Sequence, residues 1–345
     1  MRGSMKYFGG SIFLSLIGAV AAVGVGYFYT GTMEGGLKAL FLCAVLSVLE
    51  VSLSFDNAVV NALVLKKMTP LWQHRFLTWG IFIAVFVMRL VFPLLLVGVT
   101  AGLNPIDALV LAATKPDDYA AIMLAAHISI AAYGGAFLFM VALKFFFDEG
   151  KDVHWIGTIE RPLTKIGRMT GVELAIAMMF LYFFSQYLAA EQQHTFLVSG
   201  MWGLITYVLV DGVGALLQVP EDGEIVDLNK ASIGMFLYLE VLDASFSFDG
   251  VVGAFAITNN LFIIMIGLGV GAMFVRSLTI MLVEKGTLAE YRFLEHGAFY
   301  AIGSLAIIMF AGTIHHVPEV FTGLLGAALI VLALLSSIRH NKKHG

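Results

Sequence analysis

"LEVSLSFDNAVVNA", Leu49 to Ala62, sets two carboxylates, Glu50 and Asp56, and two amides, Asn57 and Asn61, inside a long apolar run. The text returns without a gap as "LDASFSFDGVVGAF", Leu242 to Phe255, at a constant offset (243 − 50 = 249 − 56 = 193). Glu50 falls on Asp243, Ser52 on Ser245, Ser54 on Ser247, Phe55 on Phe248, Asp56 on Asp249 and Val59 on Val252. After that the likeness fades, Val60 meeting Gly253 and Asn61 meeting Ala254. An arginine within an apolar run follows each copy, Arg89 after the first and Arg276 after the second.

The rest of the chain explains what surrounds these acids. Of 345 residues 59% are hydrophobic and 13% charged, and the mean hydropathy is +0.91. A soluble globule needs more polar surface than that. Apolar runs near 20 residues joined by short polar links predict an all-α, polytopic membrane protein. The predicted spans are 8–29, 37–65, 77–100, 119–147, 171–190, 195–218, 231–257, 261–283, 296–312 and 320–338. The first is too long for a signal peptide and lacks a small-residue cleavage site, so it reads as a retained anchor. Residues 101–118, bounded by prolines, are too short to cross and are expected to re-enter or lie at the interface. A net charge of −4 without a basic block argues against nucleic acid. The single cysteine, Cys43, excludes an intrachain disulfide and nearly excludes a thiolate metal site. No phosphate-binding loop, Ser-His-Asp set or metallopeptidase motif occurs, so neither an ATP-driven pump nor an enzyme is expected.

If the links alternate sides, fifteen of the 20 Lys and Arg residues fall on one side. Only Lys38 and Lys115 fall on the other, while Arg89, Lys144 and Arg276 lie within spans. This asymmetry places both termini in the cytoplasm. The two motif copies lie five spans apart, an odd number, and so are expected to cross in opposite directions. That is the inverted-repeat plan, with halves at 1–190 (motif 49–62) and 191–345 (motif 240–255) and a site near the midplane.

Each acid at the bilayer centre costs about 2.5–3.5 kcal/mol, roughly 10 kcal/mol for the four if unpaired. The expected compensation is an ion pathway, a proton relay or pairing with arginine. Six residues apart on an unbroken helix, Glu50 and Asp56 diverge by about 120°. Ser52, Ser54, Asn57 and Gly250 predict a local unwinding at "SFDN" and "SFDG" that would bring each acid pair together; a straight helix presenting Asp56 alone is the other geometry. The candidate ligands are Glu50, Asp56, Asn57, Asn61, Asp243 and Asp249, with Glu240 on the helical face of Asp243. All are oxygen donors, which favours manganese, magnesium or calcium over zinc or copper without separating the three. Arg89 and Arg276 are the expected counter-charges. Asp211 and His127 are candidate pathway residues, against plainer readings as a helix-end acid and a packing histidine. The links "DEGKDVH", Asp148 to His154, and "IHHVPE", Ile314 to Glu319, read as solvated.

The motifs "EVSLSFDNAVVNA" and "LEVLDASFSFDGVVGAFAIT", with "FLTWGIFIAVFVMRLVFP", "KFFFDEGKDVHWIGTIERPL" and "FTGLLGAALIVLALLSSIRH", resemble the TerC/Alx family of integral membrane proteins, in a branch long filed as a domain of unknown function. The resemblance runs from about Leu37 onward. It implies a divalent-cation transporter of the plasma membrane (the bacterial inner membrane), with manganese first among the cations and links to tellurium resistance. It carries the acidic motif onto Glu50, Asp56, Asn57, Asp243 and Asp249. Many relatives have serine after the second aspartate, where this chain has Gly250. The expected partners are lipid, a divalent cation and protons as coupling ion, with no resident cofactor. The competing expectation is a membrane scaffold in a metal or tellurite stress-response complex, its acids fully paired to Arg89 and Arg276.

Overall fold

Apolar runs that must hide their backbone polar groups from lipid fold as helices, and they turn where Gly, Pro and Asn stand. A computed structural model describes residues 2–80, 82–217, 227–285, 290–315 and 317–344, without the side chains of residues 2–5, 249, 319, 320 and 344. Its helices are α1 (Arg2–Thr30), α2 (Met33–Leu53), α3 (Phe55–Leu65), α4 (Pro70–Arg75), α5 (Phe92–Ala101), α6 (Pro105–Thr114), α7 (Pro116–Ala125), α8 (His127–Phe147), α9 (Gly157–Ile166), α10 (Val172–Ser185), α11 (Ala190–Leu216), α12 (Leu228–Ala254), α13 (Leu261–Glu284), α14 (Leu294–Gly312) and α15 (Glu319–His344). Two π-helical stretches, Phe76–Gly80 and Ile83–Val91, carry the chain from α4 to α5.

Among the described residues nine helical stretches are long and apolar enough to cross a bilayer. The expected second span is cut in two at Ser54. The expected fifth shrinks to α10, 14 residues or about 21 Å, less than the roughly 30 Å of a hydrocarbon core. The chain still changes ends there, since Phe184 near its close packs on Phe310 at the far end of α14 (ring centroids 5.5 Å apart). The expected re-entrant piece forms α6 and α7, started by Asn104, which accepts from the N–H groups of Ile106 and Asp107, and by Pro116.

Contacts between links group the two ends of the bundle. At one end Lys6 meets Glu284 (3.3 Å), Thr69 meets Asn229 (3.1 Å) and Asn341 donates to the Glu290 carbonyl (2.9 Å). At the other Tyr29 donates to the Ala113 carbonyl (3.0 Å) and Asn259 to Asp117 (2.7 Å). The first end carries the Lys and Arg excess. At the centre stands α8, apolar on all sides and mostly buried, as a helix enclosed by protein must be. Gly203 of α11 lets the two helices touch, because a β-carbon there would stand 2.2 Å from the Tyr133 carbonyl oxygen.

The link after α8 is solvated at Asp148, Glu149 and Asp152, as expected, but not at Lys151. Lys151 is buried beside the fully buried Glu160 of α9 (3.1 Å) and lies over the Phe145 ring. Glu160 also accepts from the N–H groups of Trp155 and Ile156 (3.1 and 3.0 Å), and His296 of α14 stands 3.3 Å away. The clasp ties the basic-end link to α8 and α14. Burial raises the pKa of Glu160, but hydrogen bonds from His296, the Ile156 N–H and Lys151 outweigh it and bring it down to about 2. A folded pKa below the ordinary 4.5 stabilises the fold above that value, and the gain is lost as pH falls towards 2. The increment is roughly 3 kcal/mol. Thermal unfolding in detergent should show the gap between the native chain and Glu160→Gln constant from pH 6 to 5 and less than half as large by pH 3.

Candidate functional site

The one-residue break at Ser54 shapes the first motif. Ser54 leaves helical geometry (φ −101°, ψ 16°), and the Asn57 N–H turns to its neighbour Asp56 Oδ1 (2.9 Å). Competition of this kind is what Ser, Asp and Asn bring to a helix. The Ser54 hydroxyl donates to Glu50 Oε1 (3.1 Å), and that oxygen also takes a hydrogen bond from Arg89 Nη2. Both partners of this ion pair are buried, each 4% exposed. Arg89 rides on the second π-helical stretch. Pro93 has no N–H to offer the Arg89 carbonyl four residues back, and a π turn is one way a helix re-registers there. The other arm of the guanidinium donates to the Ala84 carbonyl.

The second motif lies on α12, which runs unbroken, so the expected unwinding occurs in the first copy only. Parts of the local pattern repeat: Ser52 donates to the Val48 carbonyl and Ser245 to that of Val241, the same positions 193 residues apart. The acids differ. Asp243 is one methylene shorter than Glu50, and Ser247, the counterpart of Ser54, is left with its hydroxyl buried and unpartnered. Asp243 instead accepts from Asn61 Nδ2 (2.8 Å).

The two copies face each other antiparallel. Glu50 lies against Gly250, where a β-carbon would be 3.5 Å from its Oε2; Asn61 meets Asp243; and the Thr69 N–H donates to Ser232 (3.0 Å). Between them and the π-helical pass is a cavity of about 60 Å³, room for roughly two waters. Its wall includes Glu50, Ser54, Asn57, Asn61, Arg89, Asp243, Ser247 and Arg276. Asn57 Oδ1, Asn61 Oδ1, Arg89 Nε, Ser247 Oγ and Arg276 Nε are buried there without a protein partner. Such orphans are rare and cost about 1–3 kcal/mol each. Their concentration on one small cavity marks a place built for water or an ion. Gly80 admits Glu240, whose Oε1, also unpartnered, would stand 2.8 Å from a β-carbon there.

The other expected residues are dispersed. Asp56 is buried but points away from the cavity, its Oδ2 lying 3.8 Å from where a β-carbon on Gly326 of α15 would be. The side chain of Asp249 lies outside the described residues. Asp211 lines a separate cavity between α3, α11 and α12. His127 opens α8, off the cavity wall. Among the described residues no group of three or more His, Cys, Asp or Glu stands together as metal ligands. Cavity oxygens from two carboxylates and two amides are thus joined by the hydroxyls of Ser54 and Ser247. Ser54 and Ser247 carried the only signal, as matched positions of the repeat.

Residues 55–344 match the family model described as a protein of unknown function, DUF475. The chain belongs to the DUF475 family. No curated protein and no solved structure matches it. The family match takes in every cavity-lining residue named above except Glu50 and Ser54, which precede it.

Because the cavity of this DUF475 protein holds an ion pair, removing one partner strands the other. Arg89→Met should lower stability by roughly 3–5 kcal/mol, and Glu50→Leu with Arg89→Met should restore most of it. Unfolding temperatures of the two single variants and the double, in detergent, check this.

Proposed function

We propose that this DUF475 protein is a secondary exporter of divalent cations, of the TerC/Alx kind, with manganese as cargo. The observation that carries the reading is the cavity where Glu50 of one motif copy and Asp243 of the other come together among unpartnered polar atoms. Two carboxylates match the charge of a dication, and the Asn57 and Asn61 carbonyls are hard oxygens able to complete its shell. Glu240 and Asp249 are the further ligands on this reading, and Asp56 acts from behind the first motif.

The antiparallel copies support alternating access, in which corresponding segments rock about a shared site. Arg89 pairs with Glu50 while no cation is bound and yields when one arrives. Protonation of the same carboxylates exchanges protons for the dication, so the inward proton gradient drives efflux. The excess of Lys and Arg at one end supports cytoplasmic termini in a plasma membrane. No resident cofactor and no bond-making chemistry belong to this reading.

A second reading, a scaffold without transport, takes its support from the Glu50–Arg89 pair. It needs Arg276 and the second motif paired as well, and Arg276 Nε has no partner.

Purified protein in liposomes should move manganese down an imposed proton gradient. Glu50→Gln and Asp243→Asn should each cut the flux at least a hundredfold, and calcium or magnesium in its place ranks the selectivity. Unchanged flux in both variants removes the exporter reading.

A further inference from the structure

Arg276 belongs to two walls. One is that of the acid cavity; the other is that of a larger groove, about 510 Å³, between α1, the π-helical pass and α13. The two linings share Leu77, Val85 and Arg276. Most of the groove is apolar, through Ile17 and Ala21 of α1, Phe82 and Phe86 of the pass and Val270 of α13. Ile17, Phe82 and Phe86 are about half exposed, on stretches apolar enough to cross the bilayer, so the groove opens to lipid. Gly18 closes its floor, because a β-carbon there would stand 2.8 Å from the Val270 side chain and α1 and α13 touch at that point.

The polarity of the groove runs in one direction. Lys6 and Glu284 meet at the basic end, and Arg276 lies eight residues (284 − 276) from that end of α13, about 12 Å. Met265, at the other limit of the lining, is about 17 Å deeper. On the pass, Thr78 lies nearest the basic end, and its hydroxyl already donates to the His74 carbonyl (2.8 Å). Beside it Trp79 is 65% exposed, a residue type that collects at the lipid–water interface. Arg276 forms no hydrogen bond or ion pair among the described residues, and its Nε is buried. The nearby carboxylates are engaged elsewhere, Glu50 with Arg89 and Asp243 with Asn61.

A guanidinium without an anion inside a membrane span is costly, and arginine side chains reach towards headgroups when they can. A cation at the interfacial end of a groove and apolar walls beyond it match an amphiphile with an anionic head and an acyl tail. Basic pockets between transmembrane helices on the cytoplasmic side take such headgroups. We propose that the groove binds one anionic phospholipid from the leaflet at the basic end. Its phosphate pairs with Arg276, and one acyl chain lies along Phe82, Phe86 and Val270. The site stands whether or not the chain moves cations.

Full-length protein in detergent, titrated with phosphatidylglycerol or with phosphatidylcholine of the same acyl chains and followed by native mass spectrometry, tests this. The first phosphatidylglycerol should bind roughly fivefold tighter than phosphatidylcholine, the effect of one guanidinium on an anionic headgroup. Arg276→Gln should erase that preference and Arg276→Lys should keep it. Ala21→Phe, which fills the groove from a residue outside the acid cavity, should weaken both lipids several-fold. Inorganic phosphate, which has the charge without the tail, should displace neither at matched concentration. A native chain with no headgroup preference overturns the site, as does a preference that survives Arg276→Gln or displacement by phosphate alone. Where Arg276→Gln does not fold, Ala21→Phe decides the matter, since lipid binding indifferent to it also overturns the site.

Discussion

A buried carboxylate held by a buried guanidinium, Glu50 on Arg89, is the contact around which the membrane interior of this protein is arranged. Neither group is tolerable alone in a low-dielectric medium, and the attraction offsets their desolvation only with good geometry and further hydrogen bonds. The surrounding structure meets that demand. Ser54 leaves the helix and turns its hydroxyl to the carboxylate. The π-helical stretch carries Arg89 so that its second arm reaches a carbonyl of its own helix. Gly271 of α13 has no side chain because one would collide with Glu50 itself, 2.5 Å from Cβ.

The repeat supplies two acids to the same cavity in different states. In the first copy the longer Glu reaches arginine and serine. In the second the shorter Asp meets an asparagine from the facing copy, and the matching serine is orphaned. One half is thus closed by an arginine in direct ion pair and the other by neutral amides. The weaker partner is the easier one to displace.

Away from the seam the bundle is held differently. Its centre, around α8, packs aromatic and aliphatic side chains through glycine contacts, which suits helices in a medium that gives little hydrophobic drive between them. A buried ionic cluster outside the membrane spans, around Glu160, lies at the basic end and fastens the long link to α8 and α14. The ends of α8 and α14 are therefore tethered while the seam between α3 and α12 is held by few polar contacts.

Much of this was legible in the sequence for a plain reason. Lipid forbids unsatisfied backbone, so apolar run length reports helices directly, and an ungapped repeat of acids reports where charge is buried. Glu50, Asp243, Asn57, Asn61, Arg89 and Arg276 could be named because each is a polar group in a place where polarity is costly. The direction of each acid could not. Asp56 was paired with Glu50 by the expected unwinding, yet a single-residue break at Ser54 turned it to the opposite side, against α15. Lys151 read as solvated charge because its burial beside Glu160 comes only when α9 packs against α8 and α14. Identity and spacing of residues determined that charge is buried and that two copies share it. Only tertiary packing decided which acids meet, since the path of a side chain depends on the neighbour it must avoid or reach.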